Sequence, residues 1–108
     1  MTDIFKDREQ GYEAKWAHDE ETLFEIMAKR DAWLGRWAAE IMQLPAGEVA
    51  SYVKAVVDAG LLGKGNEPVF EKIREDFAAK MLACPDSIIR RKMEDFRHQA
   101  ADAVLKKK

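Results

Sequence analysis

Residues 5–41, FKDREQGYEAKWAHDEETLFEIMAKRDAWLGRWAAEI, decide the fold. Helical residues turn by about 100° each, and on that spacing Phe5, Tyr12, Trp16, Leu23, Met27, Leu34, Trp37 and Ile41 fall within roughly 40° of one line. From Leu23 onward this stripe predicts the inner face of a helical bundle. Before it lies a short arm, DREQGYEAKWAHDEE from Asp7, which is highly charged and interrupted by Gly11. The arm is too polar to offset a backbone ordering cost of ~1–2 kcal/mol per residue by its own burial, so it is expected to be mobile when free. An accidental periodicity in a disordered tail is the plainer account. Against it, Phe5, Tyr12 and Trp16 all share one face. That pattern fits helix-in-groove recognition, with the three rings as anchors and Arg8, Glu9, Glu13 and Lys15 matching charges on the rim.

Outward from this stretch, the chain reads as four helices. Asp19 is placed to cap the first, with Glu20 and Glu21 against the positive end of its dipole. The expected limits are about 19–43, 47–59, 66–82 and 86–105, forming a bundle over 19–105 after an arm at 1–18 and before a basic tail at 106–108. Pro45 and Gly47 break the first helix, and Gly60 is a plausible stop for the second. The segment GLLGKGN at 60–66 reads as a loop. Asn66 is placed to cap the third helix, with Pro68 in its first turn, where a missing N–H costs nothing. The inner faces are expected to carry Val49, Tyr52, Val53, Val56 and Val57; then Phe70, Ile73, Phe77 and Met81; then Ile89, Met93, Phe96, Ala100 and Val104. No stretch alternates with period two. Short connections favour antiparallel neighbours, so the expected fold class is all-α, a compact four-helix bundle preceded by a mobile N-terminal arm.

Bulk properties narrow the function. A chain of 108 residues makes one domain. Its net charge of −2 argues against a dedicated nucleic-acid binder. Arg90, Arg91 and Lys92 with the closing lysines are the best case for such a patch, but no aromatic residue interleaves them in sequence. The single cysteine, Cys84, excludes an intrachain disulfide and fits a reducing compartment. No leader is evident and no apolar run approaches the ~20 residues of a spanning helix. A cytoplasmic protein, peripheral to any membrane complex it serves and without direct membrane insertion, is therefore expected.

Nothing reads as catalytic. No nucleophile has a plausible base, and no metal or phosphate motif is complete. The Gly60, Gly63, Lys64, Gly65 cluster lacks the Walker spacing and the following Ser or Thr. Asp19, Glu20 and Glu21 are consecutive, so on a helix they splay around the axis and do not converge on an ion; no metal and no cofactor are expected. Trp33 and Trp37, one turn apart around Gly35, read as core, with the glycine allowing another helix to come close. His98 reads as a partly exposed surface group. The alternative from another class is a small helical module that binds a nucleotide through Arg30, Arg36 or Arg90 and regulates without an arm.

Several motifs together resemble one family. They are Asp7-Arg8-Glu9; Glu13-Ala14-Lys15-Trp16-Ala17-His18-Asp19-Glu20-Glu21; Arg30 with Trp33-Leu34-Gly35-Arg36-Trp37-Ala38-Ala39-Glu40; Tyr52; and Ile89-Arg90-Arg91-Lys92-Met93. In order and spacing they resemble the zeta subunit of alphaproteobacterial F-type ATP synthases, a small inhibitor of ATP hydrolysis. The resemblance implies a four-helix body and an inhibitory N-terminal segment that enters the catalytic alpha–beta interface as a helix and reaches toward the gamma rotor. It also implies that Phe5, Arg8, Glu9, Glu13, Lys15 and Trp16 are inhibitory, with Tyr12 as a further apolar anchor. Gln10-Gly11 departs from the family pattern, where a basic residue and alanine are usual.

Overall fold

The computed structural model describes residues 20–63 and 65–106. Four helices carry them: α1 (Glu20–Ile41), α2 (Ala46–Gly63), α3 (Glu67–Ala79) and α4 (Asp86–Lys106). The expected all-α four-helix class is what the chain adopts. The arm at 1–18, the Asp19 cap, Lys64, Lys107 and Lys108 lie outside the described residues.

The packing runs antiparallel around a ring. Along α1 and α2, Asp31 lies under Gly60 while Gly35 lies under Val53 and Val56. Tyr52 meets Asp76 and Gly60 meets Val69 across α2 and α3. Glu67 meets Arg90 and Arg74 meets Asp86 across α3 and α4. Trp33 stands against Phe96 and Lys92 over Trp37, which closes α4 back onto α1. Each pairing rises along one helix as it falls along the next, as short connections require.

The main core gathers Leu34, Ala38, Val56, Val69, Phe70, Ile73, Phe77, Ile89 and Met93. Trp37 meets Phe77 edge-on at 5.7 Å between ring centres. A smaller cluster of Ile26, Ala100 and Val104, flanked by Trp33, joins the start of α1 to the end of α4. The expected inner faces of α3 and α4 are present except at Met81. Gly35 has the predicted role: a Cβ there would lie 3.2 Å from the Val53 backbone.

Four expectations about α1 to α3 need correction, each for a physical reason. First, α1 does not bury the whole stripe through Leu23 and Ile41, which stay 42% and 40% exposed. The buried row is Thr22, Ile26, Arg30, Leu34, Ala38 and Met42, spaced by four. Each step of four drifts about 40° around a helix, so the contact winds across α1 and does not follow a line parallel to its axis.

Second, α1 stops at Ile41 and α3 at Ala79, short of 43 and 82. Both end in the same motif. Gln43 and Met81 take left-handed backbone, with φ of 56° and 59°. The Leu44 N–H then donates to the Ala39 carbonyl at 3.0 Å, and the Leu82 N–H to the Phe77 carbonyl at 2.9 Å. This satisfies terminal carbonyls and returns Leu44 and Leu82 to the core. It also turns Met81 outward, 91% exposed, where the helical spacing had it inside.

Third, α2 runs through Gly60 to Gly63, so most of GLLGKGN is helix. Only Gly65, at φ 101°, needs a glycine backbone. Gly60 is there for clearance, because a Cβ would collide with Asp31 Oδ2. Gly60→Ala should therefore destabilise the fold by up to about 2 kcal/mol, the overpacking cost of about 1–3 kcal/mol less the ~1 kcal/mol helix-propensity gain. Urea denaturation checks this; a midpoint that rises would refute the clearance role.

Fourth, Asn66 stands at the N-terminus of α3 but makes no side-chain cap there. Its side chain is held by Arg30. Pro68 does occupy the first turn.

Candidate functional site

The buried row of α1 places Arg30 where a leucine would be expected. Its side chain is 2% exposed and Asp31 next to it 5%. Arg30 Nε donates to Asp31 Oδ1 at 2.7 Å and Nη1 donates to Asn66 Oδ1 at 2.8 Å. One guanidinium thus ties α1 to the link between α2 and α3. Burial pushes the Asp31 carboxyl up, and the charge and hydrogen bond of Arg30 oppose that rise. The arrangement is a structural staple, with both charges paired because an unpaired buried charge is untenable.

Beside this staple, the first turns of α1 and the last turns of α2 leave an open groove of about 380 Å³. Leu23, Phe24, Met27, Val57 and Leu61 form its apolar walls, the Arg30–Asp31 pair lies among its lining and Glu20 at its edge. Phe24 is 55% exposed and Leu61 47%. Leu62, the next residue on α2, is exposed as well. Exposed apolar side chains gathered in one place carry more meaning than scattered ones. The sequence reading missed Phe24, Leu61 and the groove. The signal was present: two leucines among glycines, and a Phe beside the main stripe.

The three arginines of the nucleotide alternative go to different places. Arg30 is spent inside the bundle. Arg36 is exposed on α1, six residues further and so about 240° around the axis. Arg90 on α4 is clamped by Glu67, with Nη1 and Nη2 at 2.6 and 2.9 Å from its two oxygens, and lies 3.6 Å from the centre of the Phe70 ring. That clamp lowers the Glu67 carboxyl and raises Arg90. Neither Arg36 nor Arg90 lines the groove that Arg30 faces.

Lys92 in the basic run of α4 meets aromatics after all, one on α1 and one on α4 itself. Lys92 lies over Trp37 and Phe96 at 6.0 and 5.8 Å, and Lys29 over Trp33 at 5.5 Å. These rings are half-buried, Trp33 against Phe96 and Trp37 against Phe77, so the cations cover the rim of the core. Tyr52 donates its hydroxyl to Asp76 Oδ2 at 2.8 Å, which with burial pushes the phenol pKa up. Lys72 reaches the same carboxylate oxygen at 3.1 Å. Trp33 and Trp37 are half-buried and pack against the two core clusters, and His98 is partly exposed beside Glu94. Cys84 is a free thiol raised by burial and by Asp86, the reverse of an activated nucleophile. Among the described residues no group of acidic, His and Cys side chains is placed to hold a metal, and no helix is long and apolar enough to cross a membrane. The sequence-predicted anchors Phe5, Tyr12 and Trp16, with Arg8, Glu9, Glu13 and Lys15, lie outside the described residues.

The fold is a small all-helical domain with an internal polar staple and an exposed apolar groove. The family model for ATPase inhibitor subunit zeta matches residues 1–103, and the chain belongs to that family. No curated protein matches the chain. Membership makes it an inhibitor subunit that binds an ATP synthase complex.

Proposed function

We propose that this chain inhibits ATP hydrolysis by the F-type ATP synthase through residues 1–18, inserted as a helix into the catalytic alpha–beta interface. Phe5, Tyr12 and Trp16 are the buried anchors, and Arg8, Glu9, Glu13 and Lys15 pair with charges at the rim. The helix reaches toward the gamma subunit and opposes rotation in the hydrolytic direction. It continues α1 without a register break, so that arm and first helix form one rod tethered to the bundle. The chain is a regulator without a catalytic site or cofactor of its own, peripheral to the membrane-bound complex and cytoplasmic.

The observation that carries this reading is the extent of the family match, which includes residues 1–18 as well as the helical body. Between residues 20 and 106 the bundle already assembles a closed core. The nucleotide reading has less support, because Arg30 and Arg90 already have donors committed within the bundle.

The test is a titration of homologous isolated ATPase with the full chain and two variants. Trp16→Ala should raise the half-inhibitory concentration about 30-fold or more, as loss of a buried aromatic anchor does, and Lys15→Ala only a few-fold, as loss of a rim charge does. Equal losses would exclude insertion of the ring face.

A further inference from the structure

We infer that Met81 is a modification site, the thioether of the described bundle that a hydroperoxide converts to the sulfoxide while the fold stays intact.

The described residues hold four methionines, and packing separates them. Met42 and Met93 are 8% and 4% exposed within the main core, and Met27 is half-buried in the groove wall. Met81 is 91% exposed and belongs to neither apolar cluster. Its exposure is built into the backbone. The Met81 N–H donates to the Ala78 carbonyl at 2.9 Å and the Leu82 N–H to the Phe77 carbonyl at 2.9 Å, with φ at Met81 held at 59°. The turn that returns Leu82 to the core thus keeps Met81 in water. A left-handed residue at a helix end is usually glycine or asparagine, neither of which carries an oxidisable sulfur.

The single thiol is the natural competitor, because a thiolate reacts readily with peroxide. Cys84 stands three residues further on and is partly buried. Burial and the Asp86 charge push its thiol up, which keeps it in the less reactive protonated form at neutral pH. A thioether has no proton to lose, so the lone pairs of the Met81 sulfur are available at any pH.

In the step itself, a lone pair of the Met81 sulfur attacks one peroxide oxygen and the O–O bond breaks. A sulfur–oxygen bond forms, and the other oxygen leaves with the proton as water or an alcohol. The sulfur gives up two electrons and the peroxide takes them. At Met42 or Met93 the polar product would lie among Leu34, Phe77 and Ile89 and disrupt the core. At Met81 it lies in solvent and displaces no packed neighbour.

The experiment exposes the full chain to hydrogen peroxide at neutral pH and quenches it over time. Peptide mapping by mass spectrometry follows each methionine, and alkylation follows Cys84. In the folded chain Met81 should oxidise at least about tenfold faster than Met27, Met42 and Met93, and Cys84 should still alkylate when Met81 is half converted. In urea the four rates should converge, which assigns the difference to the fold. Met81→Leu should remove the fast phase from the bundle. The chain oxidised at Met81 alone should melt within about 2 °C of the untreated chain. Loss of Cys84 before Met81 overturns the inference. So does oxidation of Met27, Met42 or Met93 in the folded chain as fast as that of Met81, or a clear fall of the melting midpoint once Met81 alone is converted.

Discussion

Arg30→Ala should cost the bundle about 3–5 kcal/mol, the largest stability effect of any single change considered for α1. The guanidinium is nearly inaccessible and has two partners, Asp31 and Asn66. Removing it leaves the Asp31 carboxylate buried with no counter-charge, opens a cavity in the middle of the buried row, and frees Asn66 from the link it holds. A domain of this size has about 5–15 kcal/mol in all, so the variant should be close to its unfolding midpoint under mild conditions. Removing both charges should be less damaging than the sum of the single changes. Arg30→Ala combined with Asp31→Ala leaves no orphaned charge, and the pair should show a coupling energy of about 1–3 kcal/mol in a double-mutant cycle. Urea unfolding of the four proteins measures this. A loss below about 1 kcal/mol for Arg30→Ala would mean that the staple is dispensable.

How far the sequence discloses this molecule depends on which forces set each feature. The four helices are legible because Pro45, Pro68 and Pro85 punctuate strong 3.6-residue patterns. The faces of α3 and α4 are legible because their straight stripes and buried rows coincide at Phe70, Ile73, Phe77, Ile89 and Met93. On α1 the two separate. Leu23 and Ile41 belong to the straight stripe, while Thr22, Arg30 and Met42 belong to the winding contact. No periodicity fitted to one axis finds Arg30 in a core.

The glycines mislead for a related reason. Gly60 and Gly63 have the composition of a loop, yet they are helical, and for Gly60 the cause is Asp31 on another helix. Tertiary clearance is invisible in a local window. Conversely, Gln43 and Met81 take left-handed backbone without being glycine or asparagine, so neither helix end announces itself. Asn66 has the identity of a cap and the position of a cap, but a buried arginine takes its oxygen. The groove is a product of packing in the same sense: Phe24 and Leu61 are 37 positions apart and come together only when α2 lies against α1. The family, by contrast, was readable from the motifs at 7–21, 30–40 and 89–93. Among those residues Arg30 carries the buried staple, where side-chain identity matters more than apolar spacing.

The same separation between body and arm gives the second large prediction. The residues that are buried in the described bundle lie between Thr22 and Leu105, and the apolar clusters of the described residues fall within that span. Deleting residues 1–17 should therefore leave the bundle folded, with a thermal midpoint close to that of the full chain. The deletion removes Phe5, Tyr12 and Trp16 together with Arg8, Glu9, Glu13 and Lys15, every contact assigned to the catalytic interface.

The most direct test is the rate of ATP hydrolysis by homologous isolated ATPase, measured against increasing amounts of the full chain and of the chain lacking residues 1–17. The full chain should suppress hydrolysis to a low plateau, and the folded truncated chain should leave the rate unchanged at concentrations at least 100-fold higher, the loss expected when several buried anchors go at once. Inhibition of equal depth and potency by the truncated chain would contradict the account, and would place the inhibitory surface on the bundle itself.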